Sequence, residues 1–278
     1  MTRSIAALVA ASLLAPLVLV GCGEEPRLED AERDRRIRSK QGVKRQTTFT
    51  HYVEDGVPSE TGVTTNVVEY NKRGDLVAWE LYKFKGKPYK TGKMIYDDTL
   101  RVESVVYDEN GNVEKVERHE YADGVETRTV TVDSTGATIV RAEREYDADG
   151  DLESVAYYAG ESDRGVGYEE FRFEDGVLVH KTSYSETGAV RMKEAREYEN
   201  GLLVEVTRRD GRKKVVERRK YERDENGDPI ELRAFGAGDE LLWRYEATFE
   251  NGLEVERKLY DAEDSLTQVI RHKYEYFD

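Results

Sequence analysis

One cysteine, two tryptophans, three methionines and five prolines are all that the 278-residue chain contains of these types. With a single cysteine no internal disulfide can form, even in an oxidising compartment. Histidine is nearly as sparse. His51, His119, His180 and His272 stand far apart and make neither an HxH nor an HExxH spacing, so no metalloenzyme motif can be read. Serine occurs without a nucleophile-elbow context. A basic excess is missing too: 43 Lys and Arg face 58 Asp and Glu, for a net charge of −15. An acidic chain without a basic stripe argues against nucleic-acid partners. Long apolar runs are absent with one exception, and the mean hydropathy is −0.76.

The exception follows Arg3 and runs from Ile5 to Val20. It is shorter than the roughly 20 residues a membrane span needs, and it fits the apolar region of a secretory signal. Leu19-Val20-Gly21-Cys22 then resembles the bacterial lipobox. That resemblance implies a signal peptide over 1–21, cleavage before Cys22, and lipidation of Cys22 by diacylglycerol and an acyl chain. Several chains on one residue anchor stably where a single chain is marginal. The implied partner is a membrane, and the implied address is the bacterial envelope at the outer membrane. Residues 22–45 form a dense mixed-charge run with few apolar residues, which cannot bury enough surface to offset ordering entropy. The expectation there is a flexible tether with a transient helix over Leu28–Lys40.

The rest of the chain, 46–278, repeats. One ladder of residues runs Tyr70, Tyr96, Tyr121, Tyr146, Phe173, Tyr198, Tyr221, Phe249, Tyr274, and a second runs Tyr82, Tyr107, Val132, Tyr157, Tyr184, Arg208, Phe235, Tyr260. Both have a period of about 25 residues, the signature of a repeat array. Turn signals such as Asp108-Glu109-Asn110-Gly111, Asn200-Gly201 and Asn251-Gly252 punctuate the strands between them. Asn-Gly and Asp-Gly are strong hairpin signals, because both residues tolerate positive φ. Turns every dozen residues leave no room for helical crossovers. The fold class is therefore all-β: an antiparallel meander of about 16–18 strands built from two-strand hairpins, expected as an extended, twisted or curled single sheet. One connection, Gly160 to Gly167, is longer than the others.

Leu241, Trp243, Tyr245, Ala247 and Phe249 alternate on one face of a late strand, whereas Glu114 to Glu120 is charged on both faces. Charge on both faces argues against a membrane-spanning barrel, which needs an apolar band facing lipid. Asp147-x-Asp149-x-Asp151 and Asp224-x-Asn226-x-Asp228 look like the opening of a calcium loop. They lack the glycine at position six and the glutamate at position twelve, so hairpin turns are the expectation and no cofactor or metal is implied.

The Tyr-Asp-x-x-Gly turns at Tyr107–Gly111 and Tyr146–Gly150 resemble the YD (RHS-type) repeats of bacterial surface proteins. The Glu-Asn-Gly-Leu turns at Glu199–Leu202 and Glu250–Leu253 are similar to the hairpin repeats of MORN-like lipoproteins. These resemblances cover roughly 63–277 and imply β-hairpin arrays without a specific activity. Two functions follow. The first is a non-catalytic, lipid-anchored envelope protein whose sheet is a scaffold or binding surface for another envelope protein. The second is a lipid or glycan carrier that uses an apolar concave face, with Trp79, Trp243 and Tyr245 as the candidate binding residues.

Overall fold

The computed structural model describes residues 28–83 and 86–278. The signal segment and Cys22 lie outside the described residues. A helix, α1 (Leu28–Gln41), leads into nineteen strands: β1 (Val43–Glu54), β2 (Val57–Pro58), β3 (Val63–Tyr70), β4 (Leu76–Tyr82), β5 (Pro88–Asp97), β6 (Leu100–Tyr107), β7 (Val113–Ala122), β8 (Val125–Asp133) and β9 (Thr138–Tyr146). The array continues with β10 (Leu152–Ala159), β11 (Gly165–Glu174), β12 (Val177–Ser185), β13 (Val190–Glu199) and β14 (Leu202–Asp210). It ends with β15 (Val215–Arg223), β16 (Pro229–Phe235), β17 (Leu241–Glu250), β18 (Leu253–Tyr260) and β19 (Leu266–Tyr276).

Consecutive strands pair antiparallel throughout, as the meander requires. The expectation of an open sheet is corrected at its ends. β1 pairs with β3 on one side and with β19 on the other, from Val43↔Tyr276 to Tyr52↔Gln268. The short β2 pairs only with the end of β1. The remaining eighteen strands close into a barrel, which removes both edges. The physical reason lies in the ladders. Opposite most ladder residues the pairing slips by one: Ile95 pairs with Glu103 but Tyr96 with Arg101, and Glu120 pairs with Arg128 but Tyr121 with Glu126. On β15 the slip stands at Arg223 rather than Tyr221, and on β19 at Tyr276 rather than Tyr274. The second ladder slips likewise, with Val106↔Lys115 followed by Tyr107↔Val113. A β-bulge bends its strand and increases twist. Bulges repeated on both rims curl the sheet until its ends meet. In register, the second ladder contains Tyr158 and Arg209, where the period alone placed Tyr157 and Arg208.

Two turn types connect the strands, and the lower rim contains both. On the lower rim, where β1 begins, several hairpins close with two residues at positive φ: Asp123-Gly124, Asp175-Gly176, Asn200-Gly201 and Asn251-Gly252. This is the type I′ geometry. Asn110-Gly111 is different, because only Gly111 has positive φ. Asp108 Oδ1 there accepts the amides of Asn110 and Asn112, both at 2.9 Å. Asp147 and Asp224 cap their own turns in the same way. The acidic triplets that look like calcium loops are thus five-residue turns whose leading carboxylate is used by the backbone.

Within the segment expected as a tether, the helix expected over Leu28–Lys40 is α1, Leu28–Gln41, and β1 begins at Val43. α1 lies over the lower mouth. Arg33 pairs with the buried Asp228 in the β15–β16 turn. Arg38 donates to Gly74 O at 3.2 Å in the β3–β4 turn, and Gln41 donates to Asn251 O at 3.3 Å in the β17–β18 turn. Ile37 packs on a cluster of Val43, Tyr70 and Leu253. These contacts supply the stabilisation that composition alone denies this segment.

Candidate functional site: the inner wall of the barrel

On a closed barrel, inward side chains converge and outward ones diverge, so the less accessible face of each strand is the inner one. On β7 that face carries Glu117, His119 and Tyr121, while Arg118, Glu120 and Ala122 are exposed. On β13 it carries Glu194, Arg196 and Tyr198, and on β17 Trp243, Tyr245, Ala247 and Phe249. The first ladder is thus an inward aromatic girdle at the lower rim. Its hydroxyls stitch each hairpin to the one before: Tyr96 donates to Leu76 O (2.8 Å), Tyr121 to Arg101 O (2.9 Å), Tyr146 to Glu126 O (2.7 Å) and Tyr198 to Leu178 O (2.9 Å). The second ladder faces outward at the upper rim, where Arg244 stacks on Tyr260 at 3.7 Å and Arg218 on Phe235 at 5.5 Å.

The inner wall divides into two arcs. Along β15–β19 it is apolar at its centre, with the ion pairs Arg219–Glu217, Arg257–Glu254 and His272–Glu254 beside the apolar cluster. Leu232 and Ala234 are fully buried against the sheet with Tyr245, Leu259 and Ile270, and Tyr221, Trp243 and Ala247 lie partly buried over them. Arg219 stands 5.7 Å from the Trp243 ring and Arg257 stands 4.2 Å from Tyr245. Along β7–β14 the wall is charged and paired. His119 approaches Glu126 at 3.1 Å and Glu117 at 3.2 Å, and Arg144 approaches Glu126 at 3.0 Å. Glu169 holds Lys181 at 3.0 Å. Glu194 accepts from Arg196 (2.7 Å) and Arg208 (2.9 Å), and Arg208 donates on to Glu217 (3.1 Å).

These groups hold their charges. Burial opposes ionisation of Glu126, but hydrogen bonds from His119 and Thr129 and the Arg144 charge outweigh it and bring the carboxyl down to about 2. Burial likewise opposes the charged form of His119, yet its two glutamate partners raise it above the usual imidazole range. Glu194 is lowered in spite of burial because two guanidiniums face it. Groups locked as ion pairs are poor proton shuttles, since a general acid or base works best with a pKa near the working pH. Among the described residues, no group of three or more His, Cys, Asp or Glu could hold a metal.

The three residues expected on a binding face all point inward. Trp243 and Tyr245 sit together in the apolar arc. Trp79 lies apart from them on β4, 2% exposed, with its indole over Gly92. The charged arc was not anticipated as a site. Inward charges of both arcs were nonetheless written in the repeat: His119, Arg144, Arg196, Arg219 and His272 each stand two residues before a ladder aromatic, and Glu117, Glu169, Glu194 and Glu217 stand four before.

No family model matches the chain, the repeat families of the turn resemblance included, and no curated protein matches it. Solved structures do. A porin-like protein from Bacteroides uniformis is 13% identical over 84% of this chain and 98% of its own, with a TM-score of 0.47. A porin-like protein from Bacteroides vulgatus is 11% identical over 84% of this chain and 99% of its own, at 0.33. A LolA superfamily protein from Nitrosomonas europaea is 8% identical over 90% of this chain and 93% of its own, at 0.26. At these scores no argument about activity rests on them.

Proposed function

We propose that the protein is a non-catalytic envelope carrier that holds an amphiphile in the barrel lumen. The observation that carries this reading is the two-arc inner wall of a closed barrel. Eight strands make a barrel that side chains can fill, whereas sixteen to eighteen leave a channel. At about 4.8 Å per strand and a tilt of about 40°, eighteen strands of round section would span about 35 Å between backbones. The acyl part of the ligand would lie along Trp243, Tyr221 and their neighbours, and its polar part against the paired charges of β7–β14. The outer wall supports a soluble container rather than a spanning pore. Arg118, Glu120, Glu170, Arg172, Lys193 and Glu197 all face outward, where a membrane barrel needs an apolar band. The anchor expected at Cys22 belongs to this proposal as well. Cys22 stands six residues before α1, so a lipid there would keep the lower mouth near the membrane.

For the scaffold reading, with an envelope protein as partner, a closed barrel offers no free strand edge for β-augmentation, which leaves only its outer wall as a binding surface. The deciding experiment is organic extraction and mass spectrometry of the natively purified protein. It is paired with quenching of Trp243 by brominated acyl chains in a Trp79→Phe background. Co-purified lipid and quenching are expected. A barrel that carries no lipid and whose Trp243 emission ignores the brominated chains would overturn the carrier and favour the scaffold.

A further inference from the structure

The connection between β10 and β11 departs from the turn pattern of the other hairpins, and the outer wall beside it holds a cleft of about 230 Å³. Ser154, Ala156, Tyr158, Gly165, Gly167 and Tyr168 line it, with Ser185 and Glu186 at the rim. Ala156 pairs with Tyr168 and Tyr158 with Gly165, which puts these residues on one face of the sheet. Tyr168 also pairs with Tyr184 on β12. A row of cross-strand stacks runs along this face. Arg141 lies 4.5 Å over the Tyr158 ring on one side. On the other, Tyr168 and Tyr184 stack with centroids 4.2 Å apart and planes 9° from parallel.

Between those two stacks the row is interrupted at Gly165, which stands opposite Tyr158 on the same face, whereas Gly167 pairs with Tyr157 and belongs to the other face. The two glycines differ in kind. Gly167 has φ +156, and a Cβ there would stand 2.7 Å from Tyr184 O, so the backbone itself demands glycine. At Gly165 a Cβ would meet nothing closer than Tyr157 O at 3.8 Å, which is ordinary contact. The open space at Gly165 is therefore not explained by packing.

We propose that this cleft binds the ring of a neutral pyranose sugar, which completes the interrupted row. The C–H faces of a pyranose are flat, apolar and slightly positive, and they pack against the negative faces of aromatic rings. Its edge hydroxyls need donors and acceptors, which Ser154, Ser185 and Glu186 supply at the rim. Arg164 is paired with Glu186 at 3.2 Å and Arg141 with Asp163 at 3.0 Å, so the cations beside the cleft are already matched by carboxylates, and Glu170 on the neighbouring position of the same face adds charge that opposes an anionic ligand. The volume admits one ring and not an acyl chain, so this site is separate from the lumen, and the proposal stands whether or not the carrier reading holds.

The test is saturation-transfer NMR on the purified chain with methyl β-D-glucopyranoside and methyl β-D-galactopyranoside at millimolar concentration, with methyl β-D-glucuronide as the anionic comparison. Saturation of the ring C–H protons of at least one neutral glycoside is expected, with loss of that signal in Tyr158→Ala and in Gly165→Leu. The second variant fills the cleft while keeping both tyrosines, and its fold is checked by its unfolding midpoint. Absence of saturation with both neutral glycosides, an undiminished signal in Gly165→Leu, or stronger saturation of the glucuronide would each overturn the proposal.

Discussion

Trp79 and Gly92 should behave as one unit. They are direct cross-strand partners, and a Cβ built on Gly92 would lie 2.1 Å from Trp79 Cε2 and 2.2 Å from Nε1. The indole therefore occupies the space a side chain at residue 92 would take, the arrangement in which an aromatic covers a strand glycine. Gly92 does not have a left-handed φ, so its backbone would accept alanine. In a strand, replacing glycine by alanine ordinarily stabilises by roughly 0.5–1 kcal/mol, through the unfolded chain. Here Gly92→Ala must displace a side chain only 2% exposed, and overpacking of that kind costs roughly 1–3 kcal/mol. Trp79→Ala alone should cost about 3–5 kcal/mol. With the indole gone the clash is gone, so Gly92→Ala in the Trp79→Ala background should become neutral or stabilising. The coupling then amounts to about 1–3 kcal/mol, well outside the scatter of independent sites. Urea unfolding followed by far-ultraviolet circular dichroism of the four proteins gives the cycle without relying on tryptophan emission. If Gly92→Ala destabilises equally in both backgrounds, the indole is not what the glycine serves, and the structural account of Trp79 falls.

The aromatic girdle and the charged arc give two more expectations. Tyr146→Phe removes the hydroxyl that donates to Glu126 O at 2.7 Å and should cost about 1 kcal/mol in the same urea assay; no change would mean the girdle stabilises through its rings alone. Glu126 has a folded pKa of about 2 against an ordinary 4.5. A depressed carboxyl contributes stability that is present above its unfolded pKa and lost as pH falls through the folded one. Its contribution, at most about 3 kcal/mol, should therefore be full at neutral pH and fade between about 4.5 and 2. Glu126→Gln should be less stable than the parent at pH 7, and the gap should narrow across that window; a gap independent of pH would contradict the pairing with His119 and Arg144.

Strand order and hairpin pairing were readable because they are local. A period of about 25 residues with a turn signal at each half allows one antiparallel solution, and that solution is the one found. Closure was not readable, because it depends on the pairing of β1 with β19 across more than two hundred residues. No local signal reports such a contact. The ladders did contain its cause: Tyr107 and Tyr121 gave only a period in the sequence, whereas each marks a place where the register slips and the strand bends. The packing of α1 was not readable for a related reason. Composition describes α1 in isolation, but Ile37 and Arg33 act through Val43, Tyr70, Leu253 and Asp228, which the closed rim gathers beneath them.

The site was half legible, and the missing half shows what periodicity in a barrel means. Strands of alternating charge such as Glu117-Arg118-His119-Glu120 looked polar on both faces, and so looked solvated on both. In a closed barrel those faces are not equivalent. Arg118 and Glu120 meet water, where ion pairs are worth little. Glu117 and His119 meet the neighbouring repeat, where a charge must be paired to be tolerated. A count of charges cannot separate these cases, but the ladder can. Reading upward from each inward aromatic gives a layer of cations and apolar residues at minus two, then a layer of glutamates and apolar residues at minus four. Apolar members occur along the whole array, Val68, Met94, Phe171 and Ala247 at minus two and Ala142, Tyr245 and Ile270 at minus four, but only the last repeats bring several of them together beside Leu232 and Leu259. The division of the inner wall into a charged arc and an apolar arc is therefore a property of how the repeats differ from one another. A consensus repeat would erase it, because averaging keeps the positions that close the barrel and discards those that make one side of its lumen unlike the other.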